Sequence, residues 1–273
     1  MDIIEEATER GVTERRFDLK VGTEVVPGIL WEPEEALAAA TPRPTILIGH
    51  GGTQHKRVEN VLSFARRFVR HLGVSVAALD APGHGERVTP EMKAAADAQR
   101  AKLGDRIAQG QREGRAVPME MSGAEAKAWV ERTTNGVAEW KALLDDLQAN
   151  RPDLAAGPFG YWGVSMGTAI GLPFVADEPR ITATVLGLAG ASPDRPGSER
   201  FLASAQKLTI PLLFLFQAND ELMTLESGID LWKAFGSKEK TMHLNPGGHV
   251  QTPLFERQAA EDFFRRHGIA ASS

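Results

Sequence analysis

The sequence predicts an α/β domain, a mostly parallel sheet of eight strands with helices on both faces and a helical insertion above it. Three observations carry this reading. Short runs of branched apolar residues alternate with longer stretches of helical periodicity, the pattern of a parallel sheet buried on both sides. One run, starting at Phe159, ends in Gly163-Val-Ser-Met-Gly167, where a strand turns sharply into helix-compatible sequence. Two later strands lead into loops that hold an acid and a histidine, Asp220 and His249.

Taken in order, Phe17, Leu19 and Val21 alternate with polar neighbours, and Val25, Val26, Ile29 and Leu30 follow Gly22-Thr23. This predicts two antiparallel strands joined by a tight turn. Residues 34–40, with Pro42 and Pro44 behind them, read as a surface connection. Thr45-Ile-Leu-Ile48 predicts a buried strand that ends in His50-Gly-Gly-Thr53. In 58–72, Val61, Phe64, Ala65, Phe68 and Leu72 form a helical stripe with Arg66, Arg67 and Arg70 opposite, and Gly73 stops it. The next strand is 74–79 and Asp80-Ala-Pro-Gly-His-Gly85 its exit turn, which completes a parallel strand–helix–strand unit. Residues 90–134 are rich in Ala, Gln, Arg and Glu and read as a helical insertion. Trp140, Leu143, Leu144 and Leu147 then predict a scaffold helix ending before Pro152. Beyond the strand from Phe159 come a strand at 181–188, a loop at 191–198, a strand at 211–216, a helix at 225–235, a strand at 240–244 and a last helix at 253–267. The core is thus 1–85 and 135–273, and 86–134 is the cap insertion.

With 273 residues, 42% hydrophobic and 25% charged, the chain has globular composition and the length for one large domain. A net charge of −5 without any long basic run argues against nucleic acid or an anionic membrane as the main partner. The absence of cysteine excludes disulfides, thiolate zinc sites and cysteine nucleophiles. The start, Met1-Asp-Ile-Ile-Glu-Glu-Ala7, lacks the basic and apolar regions of a signal peptide, and no window is apolar enough to span a bilayer. The expectation is a soluble cytoplasmic protein.

A serine on a strand-to-helix turn holds its hydroxyl above the sheet, and the cramped backbone there demands glycine two residues to either side. Ser165 meets that description. A serine hydroxyl is a poor nucleophile at neutral pH, so it needs a base and a group to orient that base. His249 and Asp220 follow the C-terminal ends of parallel strands, the edge on which Ser165 also lies. For the acid, Glu221 and Asp194 compete with Asp220, which stands where its strand first frees the backbone. His50 and His84 read as residues that hold turns together. Candidate pocket residues are Gln54, Met119, Met121 and Trp162, with core packing as the rival reading for the apolar ones.

The order Ser165, Asp220, His249, together with His50-Gly-Gly52, Asp80-Ala-Pro-Gly-His-Gly85, Gly163-Val-Ser-Met-Gly167, Ala218-Asn-Asp-Glu221 and Gly247-Gly-His249, resembles the α/β-hydrolase superfamily. More narrowly it is similar to small esterases and dienelactone-hydrolase-like members, over nearly the whole chain from Arg15 onward. Two departures stand out: dienelactone hydrolases proper carry a cysteine nucleophile, and the smallest members lack the insertion. The resemblance implies a serine hydrolase that cleaves small acyl esters through an acyl-enzyme, with no cofactor or metal. It also implies an oxyanion hole built from the backbone N–H groups of Gly52 and Met166. The same triad fits C–C bond, thioester or lactone hydrolysis, and the fold also serves binding proteins without turnover.

Overall fold

The computed structural model describes residues 1–35, 42–117, 120–192 and 196–271. Its strands are β1 (Asp2–Glu9), β2 (Val12–Val21), β3 (Glu24–Pro33), β4 (Thr45–Gly49), β5 (Ser75–Leu79), β6 (Phe159–Val164), β7 (Ile181–Gly187), β8 (Leu212–Gln217) and β9 (Lys240–Asn245). They form one sheet in the order β1-β2-β3-β5-β4-β6-β7-β8-β9. From β5 to β9 every pairing is parallel, while β1, β2 and β3 join antiparallel at one end.

The helices are α1 (Glu59–Leu72), α2 (Lys93–Glu113), α3 (Gly123–Asn150), α4 (Pro152–Ala155), α5 (Met166–Asp177), α6 (Ser198–Lys207), α7 (Leu225–Ala234) and α8 (Glu256–Arg266). Side chains alternate strictly between the two faces of the sheet, as the pleat requires. Leu47, Tyr161, Phe214 and Phe216 join the core beneath α3, α5 and α7. Their neighbours Ile46, Ile48, Trp162, Leu213 and Leu215 join the second core, beneath α1 and α8. Strands covered on both faces carry no polar alternation, which is why they read as unbroken apolar runs.

Two elements depart from expectation. The sheet has nine strands, not eight: β1 is exposed along its whole length and hangs on β2 through the turn at Arg10 and Gly11, both with positive φ. Cross-strand pairs such as Arg16 with Glu5 (2.7 Å) hold it, so it has no apolar pattern to be read by. The predicted scaffold helix, in turn, is only the lower half of α3, which runs 28 residues without a break and straight through position 134. Ser122 and Glu125 close its start with a reciprocal capping box. Gly136 does not end it but lets α3 lie against α5, since a Cβ there would stand 2.8 Å from Ile170 Cγ2. Among the described residues no helix is long and apolar enough to cross a membrane.

Candidate active site

The turn between β6 and α5 is built around Tyr161. Burial holds its phenol far above the ordinary range, so it stays a donor, and its O–H donates to Gly167 O at 2.7 Å. A Cβ on Gly167 would lie 2.3 Å from Gly49 O, and one on Gly163 would lie 2.8 Å from Gly167 O. Backbone cannot retreat from such contacts, so both positions require glycine. Between them Ser165 adopts φ 57° and ψ −115°, a conformation that costs about 1–3 kcal/mol. Its N–H donates to Gly187 O at 2.9 Å and its C=O accepts from Ala169 N, which clamps the turn between β7 and α5.

The loops after β8 and β9 bring two further side chains to this hydroxyl. His249 Nε2 lies 2.9 Å from Ser165 Oγ, and His249 Nδ1 lies 2.7 Å from Asp220 Oδ2. Asp220 Oδ1 accepts from the N–H groups of Leu222 (2.8 Å) and Met223 (3.0 Å). An acid so held presents Oδ2 as an acceptor, and the proton of the ring then sits on Nδ1. This leaves the Nε2 lone pair facing the serine. Asp220 and His249 are buried, while Ser165 is half-exposed. Glu221, the competing acid, turns the other way and accepts the backbone N–H of His249 at 2.7 Å. Asp194 lies outside the described residues.

Met166 is the first residue of α5, so its N–H has no acceptor within the helix. Gly52 faces it: a Cβ on Gly52 would stand 4.0 Å from Met166 Cβ. The loop that carries Gly52 is held from three sides. His50 Nδ1–H donates to Gly51 O (2.8 Å) while its Nε2 accepts from Ala81 N (3.0 Å), and Gln54 Oε1 accepts from Gly51 N (3.1 Å). Asp80 accepts from the backbone N–H groups of Lys56 and Glu86 and from Lys56 Nζ at 2.7–2.9 Å, which ties the loop after β4 to the turn after β5.

His50 therefore holds the turn, as its sequence context implies, and so does His84, whose Nδ1 bonds Pro82 O. Burial pushes the His50 imidazole down to about 4. An unfolded His50 binds its proton near pH 6.5, so between these two values the unfolded chain carries more protons than the folded one. The contribution of His50 is complete above pH 6.5 and is lost as pH falls toward 4, at up to about 1.4 kcal/mol per pH unit. Thermal midpoints measured from pH 7 to 4.5 should fall, and His50→Asn should flatten that slope. An unchanged slope in the variant would contradict this assignment.

The candidate pocket residues fare differently. Gln54 is half-buried and commits its Oε1 to the N–H of Gly51 in its own loop. Trp162 points to the opposite face of the sheet and packs on Phe64, ring centroids 4.3 Å apart, so it belongs to the core under α1. Met121 is half-buried just ahead of α3, and Met119 lies outside the described residues. A cavity one helical turn along α5 from the serine is bounded instead by Trp129 and Thr133 of α3, Ala169 and Pro173 of α5, and Ala189 and Gly190 after β7; Ser165 itself is not among its lining residues. Sequence reading missed these walls because small residues and a solvent-level helix carry no periodic signal. Among the described residues, no group of three or more His, Asp or Glu side chains is disposed to hold a metal ion.

A parallel sheet with a strained serine at its C-terminal edge, and a histidine between that serine and an aspartate, defines the architecture of a hydrolase-type α/β enzyme. No family model and no curated protein matches the sequence. Solved structures do. The chain is similar to a cold-adapted esterase from an Arctic intertidal metagenomic library, in its PEG-bound form, with 32% identity over 98% of this chain and 99% of that one and a TM-score of 0.76. It belongs to the α/β-hydrolase superfamily. An esterase of Pyrococcus furiosus (15% identity over 93% of this chain and 90% of that one, TM-score 0.63) shares the fold. So does a dienelactone hydrolase from Anabaena variabilis (16% identity over 94% and 99%, TM-score 0.63).

Proposed function

We propose that this protein is a serine hydrolase that cleaves carboxylic esters of small acyl groups through an acyl-enzyme. The observation that carries the reading is the single line from Ser165 Oγ through the His249 ring to Asp220, with bonds of 2.9 and 2.7 Å. Ser165 Oγ attacks the ester carbonyl as its proton passes to His249 Nε2. The carbonyl oxygen becomes an oxyanion between the N–H groups of Met166 and Gly52, each worth about 3 kcal/mol of barrier. The C–O bond to the leaving group then breaks, and His249 returns the proton to the departing alkoxide. Water repeats the cycle on the acyl-enzyme, giving up a proton to His249, and releases the acid and free Ser165. In this reading 86–134 is a cap over the core formed by 1–85 and 135–273.

The tetrahedral centre also locates the acyl chain. One substituent is Ser165 Oγ, a second points to Gly52 and Met166, and the third, the leaving group, faces His249. The remaining substituent, the acyl chain, is assigned to the cavity that Ala169 bounds, one turn along α5 from Ser165. A burst of p-nitrophenol equal to the number of sites, measured with p-nitrophenyl acetate, is the expected sign of acylation. Failure of the chain to turn over any ester of an acetate-to-octanoate panel would refute the reading. Ala169→Leu is expected to lower kcat/KM for the octanoate by about 10- to 100-fold and to leave the acetate within a few-fold. Equal effects on both esters would place the acyl chain elsewhere.

A further inference from the structure

Glu221 is a buried carboxylate next to Asp220 that the proposed chemistry does not use. Its Oε2 accepts the backbone N–H of His249 at 2.7 Å, and its Oε1 accepts from Gln111 Nε2 on α2 at 3.0 Å. Its own backbone C=O accepts from Val117 N at 2.8 Å, and Arg106 Nη2 holds Val117 O at 2.6 Å. Gly110 lies flat against it, since a Cβ there would stand 2.5 Å from Glu221 Cβ. No cation pairs with this carboxylate among the described residues. It is satisfied by two neutral donors, one from the cap and one from the histidine loop.

The flanks of that loop are secured without Glu221. Asn219 N donates to Gly247 O (3.1 Å), and Gly248 N donates to Gln251 Oε1 (2.8 Å). The residue that carries the imidazole has its own N–H committed only to Glu221. A shift of α2 therefore moves the carboxylate, and the carboxylate moves the Cα from which the ring hangs. A displacement of about 1 Å at a reacting group is enough to cost on the order of 100-fold in rate.

We propose that Glu221 is a positioning residue through which the end of α2 sets the place of the His249 imidazole, so that seating of the insertion over the core governs turnover rather than substrate affinity. This rests on the serine-hydrolase reading above. The coupling makes the insertion part of the catalytic geometry and not only a cover.

The test compares kcat and KM for p-nitrophenyl acetate, per site titrated with a fluorophosphonate, in Glu221→Ala, Glu221→Gln, Gly110→Ala and the unmodified chain. Glu221→Ala should lower kcat about 100-fold with KM within about threefold. Glu221→Gln should recover most of kcat, because an amide can accept from His249 N–H and donate to Gln111 Oε1. Gly110→Ala keeps the carboxylate chemically intact but pushes α2 and Glu221 apart, since the new Cβ would stand 2.5 Å from Glu221 Cβ, and should lower kcat about tenfold. Per-site kcat unchanged in a folded Glu221→Ala, or Glu221→Gln falling as far as alanine, would overturn the strut. Should Glu221→Ala not fold, Gly110→Ala decides, and an unchanged kcat there overturns the link to α2. Absence of ester turnover in the unmodified chain sinks the hydrolase reading instead, and is seen before any variant is made.

Discussion

Replacing Ser165 by alanine is expected to lower kcat by on the order of a million-fold and to abolish covalent labelling by a fluorophosphonate. The size follows from the role proposed for the residue: in that mechanism no acyl-enzyme forms without Oγ, and the histidine and acid have no nucleophile to serve. The proposed oxyanion donors, the N–H groups of Gly52 and Met166, remain in the variant, so a residual rate above that of water is expected. The fold should survive, because alanine meets the φ of 57° with the same Cβ as serine and the clamps at Gly187 O and Ala169 N are backbone. Equal thermal midpoints for variant and parent would establish that. A variant that keeps more than about a hundredth of the parent rate, or that still takes up the probe, would show that another group carries the chemistry.

Much of this site is legible in the sequence because its residues sit at chain positions that strand ends dictate. A parallel strand buried on both faces must stop where its apolar run stops, and the next residues are delivered to one edge of the sheet. Ser165 and Asp220 each follow such a stop, and His249 follows the end of the half-exposed edge strand β9, so their convergence can be expected from the ends of three parallel strands. Trp162 shows where that logic fails. Along β6, Tyr161 and Trp162 are both apolar, and only the helices packed on either face decide which one faces α5 and which one faces α1. The strand β1 is invisible for the opposite reason: it buries nothing and is held by ion pairs that any exposed segment can carry. The role of Glu221 is hidden as well, since Gly110, Gln111 and His249 reach it from elements far apart in the chain.

The second large effect is expected at Asp220, where asparagine should cost about 10,000-fold in kcat while the Ser165 turn stays intact. In the parent, Oδ1 is committed to the N–H groups of Leu222 and Met223, and Oδ2 receives the Nδ1–H of His249. An asparagine must satisfy the same two backbone donors with its one carbonyl oxygen, which turns its NH2 toward the ring. The imidazole then accepts at Nδ1 and carries its proton on Nε2, where it donates to Ser165 Oγ and cannot receive a proton from it. The loss is thus one of tautomer rather than of position, and a proton resonance on Nδ1 seen by NMR in the parent should vanish in the variant. Glu221→Gln supplies the control, since it removes the same charge one residue away while keeping the ring's partner. If the two variants lose activity alike, the effect is that of net charge near the site. A deep loss confined to Asp220→Asn identifies the acid that holds the base in its working form.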